Sequence, residues 1–226
     1  MIQGVMRSIG TFLDLAALTA LIGTAWCLLW IVPPAKEASP SIFSARLRRL
    51  LLVCLAALVI SSIVGLFQRS MEMSGIGVTA VLPVLPAVLS KSHYGSIWFV
   101  RMAGLAAAWI VVLAGGRSLN SRISGVLLLL SGAVIAFSRS ASGHPADFGD
   151  LSPQQLADWL HLLAVSSWGG GLLALAASLT SSLTAEDSLS QQVVAGMADR
   201  FYVLFGPVLT VLVFTGLYNA PDSIPT

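Results

Sequence analysis

Charge is what this sequence has least of: 10% of its 226 residues are Asp, Glu, Lys or Arg, where soluble domains carry roughly a quarter. Together with a hydrophobic content of 56% and a mean hydropathy of +0.88, this excludes a soluble globular protein. The net charge is only +2 and no Lys/Arg-rich run is present, so nothing marks a nucleic-acid partner. No Gly-rich turn ends in Gly-Lys-Ser/Thr, which removes ATP-driven pumping by this chain. Neither His-Glu-x-x-His nor Gly-x-Ser-x-Gly occurs, so no motif anchors a hydrolytic centre and the chain is not read as an enzyme. Histidine and cysteine are scarce, with three and two residues.

What the sequence does have is long apolar runs. A helix needs about 20 mainly apolar residues to cross a hydrocarbon core of roughly 30 Å. Six stretches qualify, at 9–32, 50–67, 97–116, 122–138, 156–179 and 201–219. They predict an all-α membrane bundle, one integral domain over 1–226 in a lipid bilayer. The first run is too long for a signal peptide and has no small-residue cleavage site before Pro33-Pro34, so it is read as a retained span. Lys and Arg mark the side that is not translocated. The cluster Arg46, Arg48 and Arg49, with Lys36, Arg117, Arg122 and Arg200, then predicts an N-terminus outside.

The chemistry concentrates at 139–171, SRSASGHPADFGDLSPQQLADWLHLLAVSSWGGG read from Ser138. A polar loop carries His144, and the helix after it carries Asp158, His161 and Trp168. Asp158, His161, Val165 and Trp168 fall at i, i+3, i+7 and i+10 and so share one stripe of a helix. An ionisable pair just inside an apolar span is costly unless partnered, which makes it a functional candidate; the plain alternative is a capping Asp and a satisfied bundle His. Gly170 and Gly171 let another backbone approach closely.

Other polar residues fall at the same depth. Asp14 lies about one turn into the first span. Trp98 and Arg101 open the third, where Arg101 is placed to snorkel or to pair with Asp14 or Asp158. The connection 68–96 holds Met71, Met73 and His93 around an apolar run broken by Pro83 and Pro86, read as an outer interfacial or re-entrant segment. Thioether and imidazole are ligands that suit Cu(I). All three histidines thus gather outside, although interfacial depth is also where polar residues cost least. At the inner ends of the first two spans lie Cys27 and Cys54, either a soft inner metal site or two small buried hydrophobes. A Ser/Thr-rich segment, SLTSSLTAEDSLSQQ, reads as a solvated inner loop, and Gly206-Pro207 as a kink or early break in the last span.

Gly143-His144, Asp158-x-x-His161, Trp168-x-Gly170-Gly171, Arg200-Phe201 and Thr215-Gly216-Leu217-Tyr218-Asn219-Ala220, preceded by Tyr94-Gly95-x-x-Trp98-x-x-Arg101, resemble the copper resistance protein D (CopD) family. The resemblance spans about 90–220. It implies a multi-pass protein of the bacterial inner membrane that moves copper from periplasm toward cytoplasm, with His144, His161 and Asp158 at positions matching the family motifs. It also implies one or two more helices past the Thr-Gly-Leu-Tyr-Asn motif, where this sequence stops at Thr226; the expectation is a short member or a wall completed by another polypeptide.

Two other readings stay open. Histidines at one end of a bundle suit a single outer b-type haem, while a haem pair across the membrane would want histidines at both faces. A non-catalytic scaffold subunit is the third. On the leading reading the cargo is copper, favoured as Cu(I), captured by His and Met and passed to the Asp158/His161 stripe, with a periplasmic copper-binding protein or another membrane subunit as expected partner.

Overall fold

A computed structural model of the chain describes residues 2–31, 40–75, 77, 80–116, 119, 121–143, 147–179 and 188–220, with side chains at 2–6, 40–45, 177–179 and 188–194 left aside. His144, Lys36, Arg117 and the Pro33-Pro34 pair lie outside these residues. Among the described residues every long element is helical. The order is α1 (Ile2–Trp26) running into a π-helical turn (Cys27–Ile31), α2 (Pro40–Ser74), a 3-10 turn (Leu82–Val84), α3 (Leu85–Lys91), α4 (His93–Gly115), α5 (Arg122–Ser140), α6 (Pro153–Leu179) and α7 (Ser188–Asn219). Six of these are long and apolar enough to cross a membrane, and each contains one of the predicted spans to within a residue. The helices begin where the sequence supplies caps. The hydroxyls of Ser92, Ser121 and Ser152 accept from the backbone N–H groups of Gly95, Ser124 and Gln155, satisfying donors that have no partner inside the first turn.

α1 is the central element, packed against α2, α5 and α6; α4 lies on α5 and α2, and α7 leans mainly on α6. The apolar stripes that face inward follow helical spacing. Leu51, Leu55 and Leu58 of α2, Leu105, Ala108 and Val112 of α4, and Leu128 and Ile135 of α5 enclose Leu18, Leu21 and Ile22 of α1.

Where α1 and α6 cross, glycine decides how near they come. A Cβ on Gly170 would sit 1.9 Å from the Thr19 carbonyl oxygen, and one on Gly23 would sit 1.8 Å from the Gly170 carbonyl carbon. Only hydrogen fits at either position. The same seam carries two polar contacts: Thr19 Oγ1 lies 3.3 Å from Ser166 Oγ, and Trp26 Nε1 donates to Ser167 Oγ at 2.8 Å. In lipid, where there is no hydrophobic drive between helices, this small-residue packing with hydrogen bonds is what associates them.

Four helices meet at a buried ion pair. Arg101 of α4 donates through Nη2 to Asp14 Oδ1 and through Nε to Ser62 Oγ at 2.6 Å. Ser61 of α2 also donates to Asp14, and Arg139 Nε of α5 lies 3.9 Å from the second carboxylate oxygen. Trp98 Nε1 closes the cluster on the Ser62 carbonyl at 3.1 Å. Asp14 and Arg101 are each 8% exposed. Of the two acids within reach of Arg101 by depth, the structure selects Asp14.

Two boundaries differ from the sequence reading. α2 continues to Ser74, so Met71 and Met73 ride on its last turns; Glu72 holds that end by pairing with Arg69 one turn back and with Arg7 of α1. α7 begins at Ser188, inside the stretch read as a solvated loop, and runs unbroken past Pro207 to Asn219. Pro within a membrane helix is tolerated when local adjustments satisfy the freed carbonyl. Within the 68–96 connection, the apolar run read as an outer interfacial or re-entrant segment forms the short helix α3.

Two outcomes test this packing. Gly170→Val should cost roughly 3 kcal/mol, the upper end of overpacking penalties, read as lost thermal stability in detergent, while Gly169→Ala, whose Cβ would meet nothing nearer than 4.0 Å, should be tolerated. Asp14→Asn, which strands the buried Arg101, should cost about 3–5 kcal/mol. Asp14→Leu combined with Arg101→Met should cost clearly less than the sum of the two single changes, measured as a double-mutant cycle.

Candidate functional site

Alternation of the six spans brings the start of α1, the end of α2, the start of α4, the end of α5, the start of α6 and the end of α7 to one end of the bundle. The Arg7–Glu72 and His93–Asp150 pairs join these termini directly. Asp14, Met71, Met73, His93, Arg101, Asp158 and His161 therefore all lie toward the same end, as the sequence reading required. Cys27 and Cys54 lie in the apolar core, both buried and both free thiols.

His93 opens α4, with its ring against the loop that leads into α6. Its Nε2 stands 2.9 Å from both oxygens of Asp150. A carboxylate only accepts, so Nε2 carries a proton, and in the neutral ring Nδ1 keeps its lone pair. Both side chains are about half exposed, at 52%. Next to it, the Arg69 guanidinium lies over the Tyr94 ring, 5.9 Å from its centroid, a cation–π contact that ties the ends of α2 and α4 together.

Deeper in the bundle, the α6 stripe meets α7. His161 Nδ1 lies 3.0 Å from Thr215 Oγ1, with Gly216 against the ring edge. Two turns further, Trp168 packs on Phe205 with ring centroids 6.0 Å apart. Between α6 and its neighbours, Gly170 fits against α1 and Gly171 against Phe201 of α7. Asp158 stands one turn above His161, half-buried, and has no hydrogen-bond or ion-pair partner among the described residues. On the opposite side of α6, Trp159 Nε1 donates to the Ala133 carbonyl at 2.9 Å and its ring packs edge-on to Phe137. That contact fixes the rotation of α6 and so points the Asp158/His161 face toward α7.

The structure thus joins Asp14 to Arg101 and His161 to α7, and it ties His93 to Asp150. It does not draw the candidates into one cage: among the described residues no three His, Cys, Asp or Glu side chains converge as metal ligands. Met71 is partly buried and Met73 exposed at the end of α2. The donor chemistry still fits a soft ion in transit. Imidazole and thioether are neutral, and weak, separate sites let an ion enter and leave.

Several participants were not singled out from the sequence. Asp150, Arg139, Ser61 and Ser62 belong to none of the motifs read from the sequence. Thr215 was visible only as a letter of a motif. The available signal was depth: each is a polar residue within a few turns of the same helix ends as Asp14 and His161.

No curated protein and no solved structure matches this chain significantly. Residues 5–151 match the family model for the copper resistance protein D-like N-terminal domain. That stretch holds α1 to α5 with the Asp14–Arg101 pair and His93, and it ends before His161 and the Thr215–Asn219 motif. Since it covers well over half of the sequence, the chain belongs to the copper resistance protein D-like family, as a multi-pass membrane protein of copper handling.

Proposed function

We propose that the protein takes up copper, as Cu(I), at the His93 end of the bundle and passes it into the membrane along the face shared by α6 and α7. The N-terminal end faces the periplasm of a bacterial inner membrane in this reading, and transfer runs toward the cytoplasm. The carrying observation is that Asp158 and His161 lie one turn apart on a stripe of α6 that meets α7 at Thr215. Here a half-buried carboxylate and an imidazole held by a single hydroxyl stand together inside an apolar span. An ionisable side chain at such depth calls for a function.

His93, with Nδ1 free, Met71, Met73 and the loop residue His144 supply capture at the surface. Asp158 offsets the charge of the arriving cation, and His161 offers a nitrogen ligand below it. Asp14 and Arg101 satisfy each other and form the wall rather than the path. Copper is cargo here, so affinity at each step is modest by design of the ligand set: neutral, few and not closed into a cage. The chain acts as carrier and not as catalyst, and a periplasmic copper-binding protein is a fitting donor.

The test is Cu(I) binding by the purified protein under reducing conditions, in competition with a chromophoric chelator. His161→Ala should weaken affinity at least about tenfold, since even residues behind a ligand cost metal sites about 10–100-fold. His93→Ala should slow loading, and Cys27→Ser with Cys54→Ser should leave binding unchanged. Equal affinity in wild type and His161→Ala would sink the path along α6, and a haem absorption band in the purified protein would replace copper with haem as ligand.

A further inference from the structure

The hydroxyl of Thr215 has one proton and three polar neighbours, the farthest of them the Leu212 carbonyl oxygen at 3.4 Å. It lies 2.7 Å from the carbonyl oxygen of Val211, one turn back on α7, and 3.0 Å from His161 Nδ1. A threonine in a helix commonly donates to the i−4 carbonyl, and a carbonyl can only accept. The shorter contact therefore uses the hydroxyl proton, and the oxygen is left to accept. Its donor is the His161 ring, so Nδ1 carries the hydrogen. In a neutral imidazole one nitrogen donates and the other keeps its lone pair, so the bare nitrogen is Nε2.

We infer that Thr215 is a positioning residue that sets the tautomer of His161, so that Nε2 presents its lone pair as a ligand for Cu(I). This rests on the copper reading above and adds to it a part for the Thr215–Asn219 motif that no direct contact with the ion requires. Metal-binding histidines are held in this way from behind, through the other ring nitrogen, which fixes both the tautomer and the ring orientation. Thr215 is 9% exposed, so water does not compete freely for either contact. The arrangement also uses a neutral acceptor. A carboxylate at Thr215 would hold the imidazole more strongly and make it a tighter ligand, whereas a hydroxyl leaves a weaker one that suits an ion in transit.

Two readouts separate the hydrogen bond from its use. The first is the nitrogen NMR spectrum of protein carrying 15N-labelled histidine, in detergent and without copper, with the His161 signals assigned by their loss in His161→Ala. Wild type and Thr215→Ser should show a protonated Nδ1 and an unprotonated Nε2, and Thr215→Val should show the opposite tautomer or an average of the two. A protonated Nε2 in wild type, or the same tautomer in Thr215→Val, overturns the inference. The second is Cu(I) affinity against the same chelator: Thr215→Val should fall about 10–100-fold and Thr215→Ser should recover most of the loss. A changed tautomer with unchanged affinity overturns the positioning role. If His161→Ala itself binds copper as wild type does, the copper reading fails and takes the ligand half of this inference with it, while the NMR comparison still decides whether Thr215 controls the ring.

Discussion

A charged group inside a bilayer must be answered by another, and the ion pair between Asp14 and Arg101 is where this chain meets that demand. Four helices contribute to it: the carboxylate from α1, the guanidinium from α4, two serine hydroxyls from α2 and a second arginine from α5. Removing either charge would leave the other in a medium that cannot solvate it. The pair therefore fixes the register of α1 against α4, and through Ser61 and Ser62 the register of α2 against both. The same rule governs the indole groups. Trp26, Trp98 and Trp159 each donate a ring N–H across to another helix, since the bilayer offers no water as acceptor.

α6 is held from two sides and presents what remains to a third. Glycine at positions 23 and 170 lets its backbone touch α1, and Trp159 anchors it to α5. With the rotation of α6 settled by those contacts, His161 and Trp168 meet α7 at Thr215 and Phe205. α7 itself is the least buried span, resting on α6 along one side with its apolar side chains largely turned outward. α6, which carries the candidate stripe, is thus held from two sides, whereas α7 is not enclosed.

Chemically, the molecule separates charge locked in a buried pair from polar groups that are not. Asp14 and Arg101 neutralise each other in the wall of the bundle. Asp158 and His161, at similar depth, are not locked into such a pair, and His93 sits at the end of α4 with one ring nitrogen engaged by Asp150. On the copper reading proposed above, the first is a scaffold stable in lipid and the second supplies soft, sparsely bound ligands that an ion can leave.

The amino-acid sequence by itself determined the six spans, the shared depth of the polar residues and the common face of Asp158, His161 and Trp168. These follow from local quantities: the length of an apolar run, the alternation of direction from helix to helix, and the angle between residues on one helix. Boundaries set by contact were not legible. α2 reaches Ser74 because Glu72 meets Arg7 on another helix, and α7 continues through Pro207. Only the tertiary structure decided that Arg101 pairs with Asp14 rather than Asp158, that His93 answers Asp150, and that Thr215 stands behind His161. Each of those choices depends on which helices are neighbours and how each is rotated, and that was settled by glycines whose backbones touch and by hydrogen bonds between residues far apart in the chain.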